Sequence, residues 1–332
     1  MIHLVNTVLL RFLLMMTISL GTISLFAKDI WKDAQWLQYS KSKVSIDFKN
    51  KLNIKKRKVN VHLIRYLNVS TNPYRLKYVI NSDPDGAGDA QTHLRSPLKM
   101  LSTQSKAVLG MNAGGFSTQP FFTQQKNLDG VKIKYRAGAP SRLFFWNIAS
   151  GAQEMSPLTE EVARSNRYSL SGSKPGEYVI QSISEVAHKD PTFLDMLVSH
   201  FHVDFVKNQQ VVKGLDNIRR SSRSVVAQKG DELLFFVFEK SRGFRSVAPN
   251  KKTLSSSLSK LQLFDHSLTL AETAAFLQSL GVEKAMNLDG GGSSVVVGRG
   301  GDADTEEEGR LYYSPYLIGA RPLPSMLFFI RK

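Results

Sequence analysis

The chain has 332 residues, of which 42% are hydrophobic and 22% charged, which excludes a disordered polymer and permits one sizeable core. Lysine and arginine number 44 against 28 acids, a formal charge of +16, so polyanionic surroundings (nucleic acid, anionic lipid or phosphate-bearing glycan) stand beside the plainer account of a solvated basic surface. With no cysteine, disulfides, thiolate metal sites and a cysteine nucleophile are ruled out.

Residues 1–27 set Arg11 ahead of an uncharged apolar run that ends at the small Ala27. The run is shorter than the roughly 20 residues that span a bilayer, and it reads as a secretory signal cut after Ala27. An uncleaved anchor is the competing account, and only then would a membrane be a partner. A periplasmic or secreted location is expected. Residues 28–90 carry strands and the basic run Lys55 to Lys58, as part of the main domain or appended to it; the main domain is placed at 91–332.

In chain order, "VNVHLIRYLNV" alternates apolar and polar residues as a strand does, and "NPYRLKYVI" is expected as its hairpin partner. "NSDPDGAGDA" is a loop. Leu94, Leu98 and Leu101 recur at helical spacing, which predicts a helix over 91–104. "KAVLGMNAGGF" is an apolar strand broken by glycines, followed by strands in "GVKIKYRAG", "RLFFWNIASG", "EYVIQSIS" and "FHVDFVKNQQVV". "SVVAQKGDELLFFVFE" reads as two strands about a turn. Thr269 with Glu272 three residues on is a capping box, and Leu270, Ala274, Leu277 and Leu280 give a helix stopped by Gly281. "KAMNL", the turn "DGGGS", the strand "SVVV" and a final strand in "RPLPSMLFFIRK" complete the chain. No internal repeat or low-complexity linker divides it. The expectation is a single mature α+β domain, a large mixed and mostly antiparallel sheet with packed helices.

Two glycine-broken strand ends hold the chemistry: "MNAGGF" at 111–116 and "NLDGGGSS" at 287–294. In each, Asn or Asp leaves an apolar strand and glycines follow. Glycine permits positive φ and brings backbone N–H groups close to a ligand, in concavities that suit anions. Asp289 at such a mouth can serve as base, electrophile stabiliser or ligand for a hydroxyl or cation. A pair of plain hairpin turns is the competing account. No "GK[ST]" follows the glycines, which argues against a nucleotide loop, and no "GxSxG" elbow is present.

These stretches carry a resemblance. "MNAGGF", "RSVVAQKGDELLFFVFE", "LTLAETAAFLQSLGVEKAMNLDGGGSS" and "ARPLPSMLFF" occur in the order and spacing of the phosphodiester glycosidase family, from about Val59 to the end. The resemblance implies hydrolysis of a sugar-1-phosphodiester. It carries Asn112, Gly114, Gly115 and Phe116 over from the first motif, Arg223 from the middle strand, and Asp289, Gly290, Gly291, Gly292 and Ser293 from the last. Of these, Asp289, Arg223 and Asn112 are the implied catalytic residues and the others the implied substrate-binding ones. Gly115 and Phe116 stand where relatives often have two phenylalanines, and Ala227 where many have glycine. Arg223 can fork onto phosphate oxygens, and Asp289 can stabilise positive charge at the sugar or orient water. The second carboxylate is open, with Glu272 and Asp204 as guesses.

No cofactor and no metal ligand set is assigned, a divalent cation being the one alternative, through His200 and His202 or the acidic loop 302–308; both have ordinary structural accounts. Arg219 and Arg220 grip phosphate or continue the basic surface. Phe144, Phe145 and Trp146 stack on sugar or fill the core. The partner expected is a phosphate-bearing glycan or glycosyl phosphodiester, with nucleic acid disfavoured by export. A non-catalytic envelope protein that binds anionic glycans, or one that takes part in exopolysaccharide assembly, is the alternative.

Overall fold

Strands dominate because apolar side chains alternate on both of their faces. In Glu232–Phe238, Leu233, Phe235 and Val237 enter one core cluster while Leu234, Phe236 and Phe238 enter another. Such a strand must be covered on both sides. The computed structural model describes residues 28–33, 35–50, 53–81, 91–118, 137–144, 146–149, 153–154, 159–174, 177–189, 193–199, 203–245, 262–299, 309–315 and 320–332. The signal segment, the loop 82–90, most of "GVKIKYRAG", Phe145, the His200 and His202 pair and the acidic loop 302–308 lie outside them.

The largest sheet has eight strands in the order Lys28–Asp33, Leu37–Asn50, Asn53–Leu67, Glu232–Phe238, Arg223–Lys229, Lys284–Asn287, Asp204–Lys207 and Gln210–Val211. A five-stranded sheet packs against it, ordered Arg310–Tyr313, Val296–Gly298, Ala107–Asn112, Ser325–Arg331 and Tyr74–Ile80. A further five-stranded sheet, containing Tyr168–Lys174, closes the shared core. Tyr66, Phe235, Met286, Met111, Leu327, Phe329 and Leu170 all meet there. Burying each such side chain contributes about 1.5–3 kcal/mol. The outer face of the eight-stranded sheet is covered by the helix Leu270–Ser279, whose Ala274, Phe276 and Leu277 pack on Phe236 and Phe238. The α+β class holds, with strands in the majority. Every strand pair among the described residues is antiparallel, and the strands divide among stacked sheets instead of forming one.

Two expectations need correction. The helix predicted over 91–104 is confined to Pro97–Ser102, and 91–93 is a strand. Pro97 explains this: it has no N–H to donate and disfavours helical backbone in Ser96, so the helix can begin only at the proline. The strand Tyr74–Ile80 is not the hairpin partner of Asn53–Leu67. It crosses to the five-stranded sheet and pairs with Ser325–Arg331, while Asn53–Leu67 pairs with Leu37–Asn50 and Glu232–Phe238. Asn72 makes the corner. Its Nδ2 donates to the Leu67 carbonyl and its Oδ1 accepts from Tyr74 N. A side chain that satisfies both flanking backbones lets the chain leave one sheet for the other. The capping box at Thr269 and Glu272 is present as predicted, and Gly281 takes a φ of 73° beyond the helix.

Between the two sheets lies a buried polar chain. Tyr39 Oη is 2.7 Å from His62 Nδ1, and His62 Nε2 is 2.7 Å from Glu239 Oε1. Lys41 Nζ and Asn60 Nδ2 also reach Glu239, each at 2.8 Å. A carboxylate only accepts, so Nε2 carries the imidazole proton and Nδ1 takes the tyrosine O–H. Burial holds His62 neutral, below its ordinary 6.5, against the pull of Glu239. Burial works against charge on Glu239 too, but hydrogen bonds from His62, Lys41 and Asn60 outweigh it and bring the carboxyl to about 2. Its contribution to stability is therefore complete above the ordinary 4.5 and is lost as pH falls through about 2. Glu239→Gln should destabilise the protein by about 2–4 kcal/mol at neutral pH. In urea unfolding, the gap between wild type and variant should shrink as the medium is taken from neutral towards pH about 2.

Candidate active site

Both glycine bends leave adjacent strand ends at the same edge of the two-sheet core. Asn112 ends Ala107–Asn112, and its side chain, 1% exposed, is the joint between them. Its Nδ2 donates to the Asp289 carbonyl, while its Oδ1 accepts from Ser224 Oγ at 2.7 Å and Val295 N at 3.1 Å. Asp289 N donates in turn to the Ala113 carbonyl at 2.9 Å. The bends face one another across these bonds. Asn112 is thus a buried connector, with its side-chain donor and acceptor both engaged.

The second bend rests on the strand that carries Arg223. Leu288 N donates to Ser224 O, and Gly291 N to Ser222 O. Two of the three glycines, Gly290 and Gly291, are explained by that approach. A Cβ on Gly290 would lie 3.2 Å from the Ser222 carbonyl oxygen and 3.9 Å from Arg223 Nη1. Gly291 has a φ of 62°, in the region that favours glycine. Gly290, Gly291, Gly292 and Asp289 are all half-exposed. The bare backbone therefore runs close against the strand that carries Arg223, with the half-exposed Asp289 at the head of the turn.

Arg223 is half-buried; its Nη2 donates to the Arg219 carbonyl, and its buried Nε has no hydrogen-bond partner among the described residues. Burial, with the charge of Arg219 adding to it, lowers its pKa to about 10, which still leaves it a cation at neutral pH. The paired register ends at Val225 opposite Asn287, and the bend that follows runs past the backbone of Ser222 and Arg223.

Other expected residues divide between lining and support. Gly114 is buried, and a Cβ there would lie 2.9 Å from Tyr78 Oη and 3.3 Å from Asn147 Oδ1, so its glycine serves close packing. The Gly115 carbonyl accepts from Phe144 N. Phe116 is half-buried on the site side, and Ser293, 1% exposed, ends the turn. Arg220 is held by Glu272 through two bonds, at 2.8 and 2.9 Å, and Glu272 also accepts from Thr269 N in the cap. Asp204 accepts from Tyr168 N and from Lys207. Burial raises its pKa, and those contacts oppose the rise. Both guesses for the second carboxylate thus have structural partners. Trp146 is fully buried in a small cluster with Ile148 and Leu197, which makes it core. Among the described residues no group of three His, Cys, Asp or Glu side chains is placed to hold a metal.

One residue given no role from sequence belongs to the site. Arg321 Nη1 donates to Ser293 Oγ at 3.2 Å, and its guanidinium carbon lies 5.3 Å from the centre of the Phe116 ring. Burial lowers its pKa to about 10. The signal was present in "ARPLPSMLFF", a stretch aligned with the other motifs, but nothing in its spacing says that it folds back onto the glycine turn.

The family model for phosphodiester glycosidase matches residues 159–330. The chain belongs to that family. The family is one of hydrolases that act on phosphodiester-linked sugars. Among solved structures, the chain is similar to the zebrafish N-acetylglucosamine-1-phosphodiester α-N-acetylglucosaminidase catalytic domain, auto-inhibited by its pro-peptide, with a TM-score of 0.53 and 14% identity over 94% of this chain and 89% of that one. That likeness shows a shared fold. It is also similar to a Synechocystis protein, at a TM-score of 0.47 and 11% identity over 88% of this chain and 62% of that one. A Burkholderia pseudomallei protein described as exported matches with a TM-score of 0.43 and 13% identity over 83% and 75%. No curated protein matches the sequence. No helix among the described residues is long and apolar enough to cross a membrane.

Asn112→Ala should strip two buried donors of their acceptor and cost about 2–4 kcal/mol, measured by urea unfolding. Asn112→Asp keeps those two acceptor contacts but sets a carboxylate against the Asp289 carbonyl, so it should be no milder.

Proposed function

We propose that this phosphodiester glycosidase hydrolyses a glycosyl phosphodiester of the cell envelope or of an extracellular polymer. The observation that carries the proposal is the convergence of the two glycine bends, with half-exposed Asp289 at the head of one and the Arg223 strand packed against its glycines. A water attacks the anomeric carbon, the bond from that carbon to the phosphoester oxygen breaks, and its electron pair leaves on the phosphate. The proton lost by the water passes to Asp289 or solvent. The leaving phosphate needs little protonation, so the demand falls on charge stabilisation.

The roles follow from position. Arg223 holds non-bridging phosphate oxygens with its fork of donors. Asp289 stabilises positive charge growing at the sugar ring or orients the water. Asn112 positions both bends without touching substrate. The amides of Asp289, Gly291 and Ser293 donate to the Ala113, Ser222 and Gly290 carbonyls, which leaves those of Gly290 and Gly292 as the turn's donors to a ligand. Residues 1–27 fit export, and the charge of +16 fits a phosphate-rich polymer as substrate. N-Acetylglucosamine is the first sugar to try, from the zebrafish enzyme's name.

Asp289→Asn should lower reducing-sugar release from an N-acetylglucosamine-1-phosphodiester, or from a teichoic-type polymer, by at least about a hundredfold. The fold should survive the change, because Asp289 is half-exposed. Undiminished release by the variant would refute the role of Asp289. Binding of the polymer by wild type with no sugar released would instead identify a glycan-binding module.

A further inference from the structure

We propose that a basic cavity at the far end of the sheet that carries Asn112 is a second anion site, which holds one phosphate-bearing stretch of a polymeric substrate while another stretch lies at the glycine bends. The inference rests on the function proposed above and specifies its substrate class: a polymer with repeated phosphates, in preference to a single glycosyl phosphodiester.

The cavity has a volume of about 340 Å³ and is lined by Arg75, Lys106, Ile330, Arg331 and Lys332. Small-molecule sites run from about 300 to 1,000 Å³. Three neighbouring strand ends supply the lining. Arg75 lies opposite Ile330 in the paired register, and Arg331 N donates to the Lys106 carbonyl at 3.0 Å. Four side-chain cations therefore converge, and no acidic side chain is among the lining residues. With the main-chain carboxylate of Lys332 counted, the sum is still +3. Lys332 Nζ donates to the Ser70 carbonyl at 3.0 Å, and the Arg331 guanidinium carbon lies 5.9 Å from the centre of the Tyr74 ring. The side chains of Arg75 and Lys106 make no hydrogen bond or ion pair among the described residues. Like charges held at one concavity repel, and an anion with several acceptor oxygens relieves that repulsion.

The position of the cavity specifies the length of the ligand. Lys106 immediately precedes the strand Ala107–Asn112, and Asn112 ends that strand at the bends. Six residues of strand separate the two places by about 20 Å. A monomeric phosphodiester cannot touch both. A polymer can, and its second contact raises the effective concentration of the first. A membrane is the other source of phosphate, but none of the exposed large apolar residues among those described, Leu98, Phe193 and Ile218, lines the cavity. Nothing there inserts among acyl chains, and a soluble polyanion is the better fit.

The test separates binding from turnover. Binding of poly(glycerol phosphate), which has no glycosidic bond to cleave, is measured by calorimetry for the wild type, the double variant Arg75→Gln/Lys106→Gln and the single variant Lys106→Glu. Both variants should weaken the polymer about tenfold or more, with thermal unfolding unchanged for Lys106→Glu because Lys106 is exposed. For hydrolysis of a polymer of N-acetylglucosamine-1-phosphate repeats, KM should rise about tenfold in the variants, while kcat and the KM for a monomeric phosphodiester stay as in wild type. At about 1 M salt, where screening acts within about 3 Å, the wild type should lose its preference for polymer over monomer. Equal polymer affinity in wild type and both variants would overturn the inference, as would a wild type that binds no polymer. Equal losses against monomer and polymer would overturn it by marking a diffuse field in place of a site. Binding of anionic phospholipid vesicles, in place of polymer, that the variants lose would overturn it in favour of a membrane surface. Weakened polymer binding in variants of a protein that cleaves no phosphodiester would leave the cavity assignment standing and reject the proposed hydrolysis. Variants that hydrolyse polymer with unaltered KM would reject the cavity and leave the hydrolysis standing.

Discussion

The site depends on one amide. Asn112 joins strand ends from two different sheets, and it does so by bonding to the backbone of Asp289 and Val295 and to the side chain of Ser224. The contacts to Ser224 and Val295 are buried and that to Asp289 partly so, where a missing partner costs more than a made bond contributes. The relative placement of the two bends is therefore set by the interior, and loop preferences have little say in it. A bend of three glycines has many conformations open to it. It has one here because its neighbours on both sides are already spoken for.

Around that joint the protein concentrates positive charge where water is partly excluded. Arg220 is neutralised by Glu272 and belongs to the scaffold, although it is only three residues from Arg223. Arg219 contributes its carbonyl and, through space, its charge. Arg223 and Arg321 border the glycine turn itself. In low dielectric a cation polarises an approaching anion more strongly than it can at the surface, and a fixed guanidinium has little reorganising to do. The glycines contribute by what they lack, since any side chain at Gly290 would press on Ser222 and stand close to Arg223.

Much of this was legible in the sequence wherever information is local. The two strands about a turn in "SVVAQKGDELLFFVFE", the capping box at Thr269 and Glu272 and the glycines after Asn112 and Asp289 are patterns within a few residues, and the structure has the strands, the box and the bends. What could not be read is what the third dimension decides. Leucine spacing suggested a long helix near Leu98, but Pro97 sets where it starts. "NPYRLKYVI" looked like the nearest partner for its neighbour, whereas Asn72 turns it into another sheet. Arg321 sits 28 residues from Ser293 in sequence, and no local pattern reports a bond across that gap. Arg220 and Arg223 look alike as letters; only the position of Glu272 separates the structural one from the one at the turn.

The joint at Asn112 spans 177 residues of chain. Such a contact forms late, after the intervening strands have been laid down and paired, because closing so long a loop is unfavourable until other contacts share the loss. A ribosome-bound chain that has not yet released Val295 already holds Arg223 and Asp289 but lacks one of the bonds of Asn112 that fix the two bends on each other, so their arrangement waits until synthesis is nearly finished.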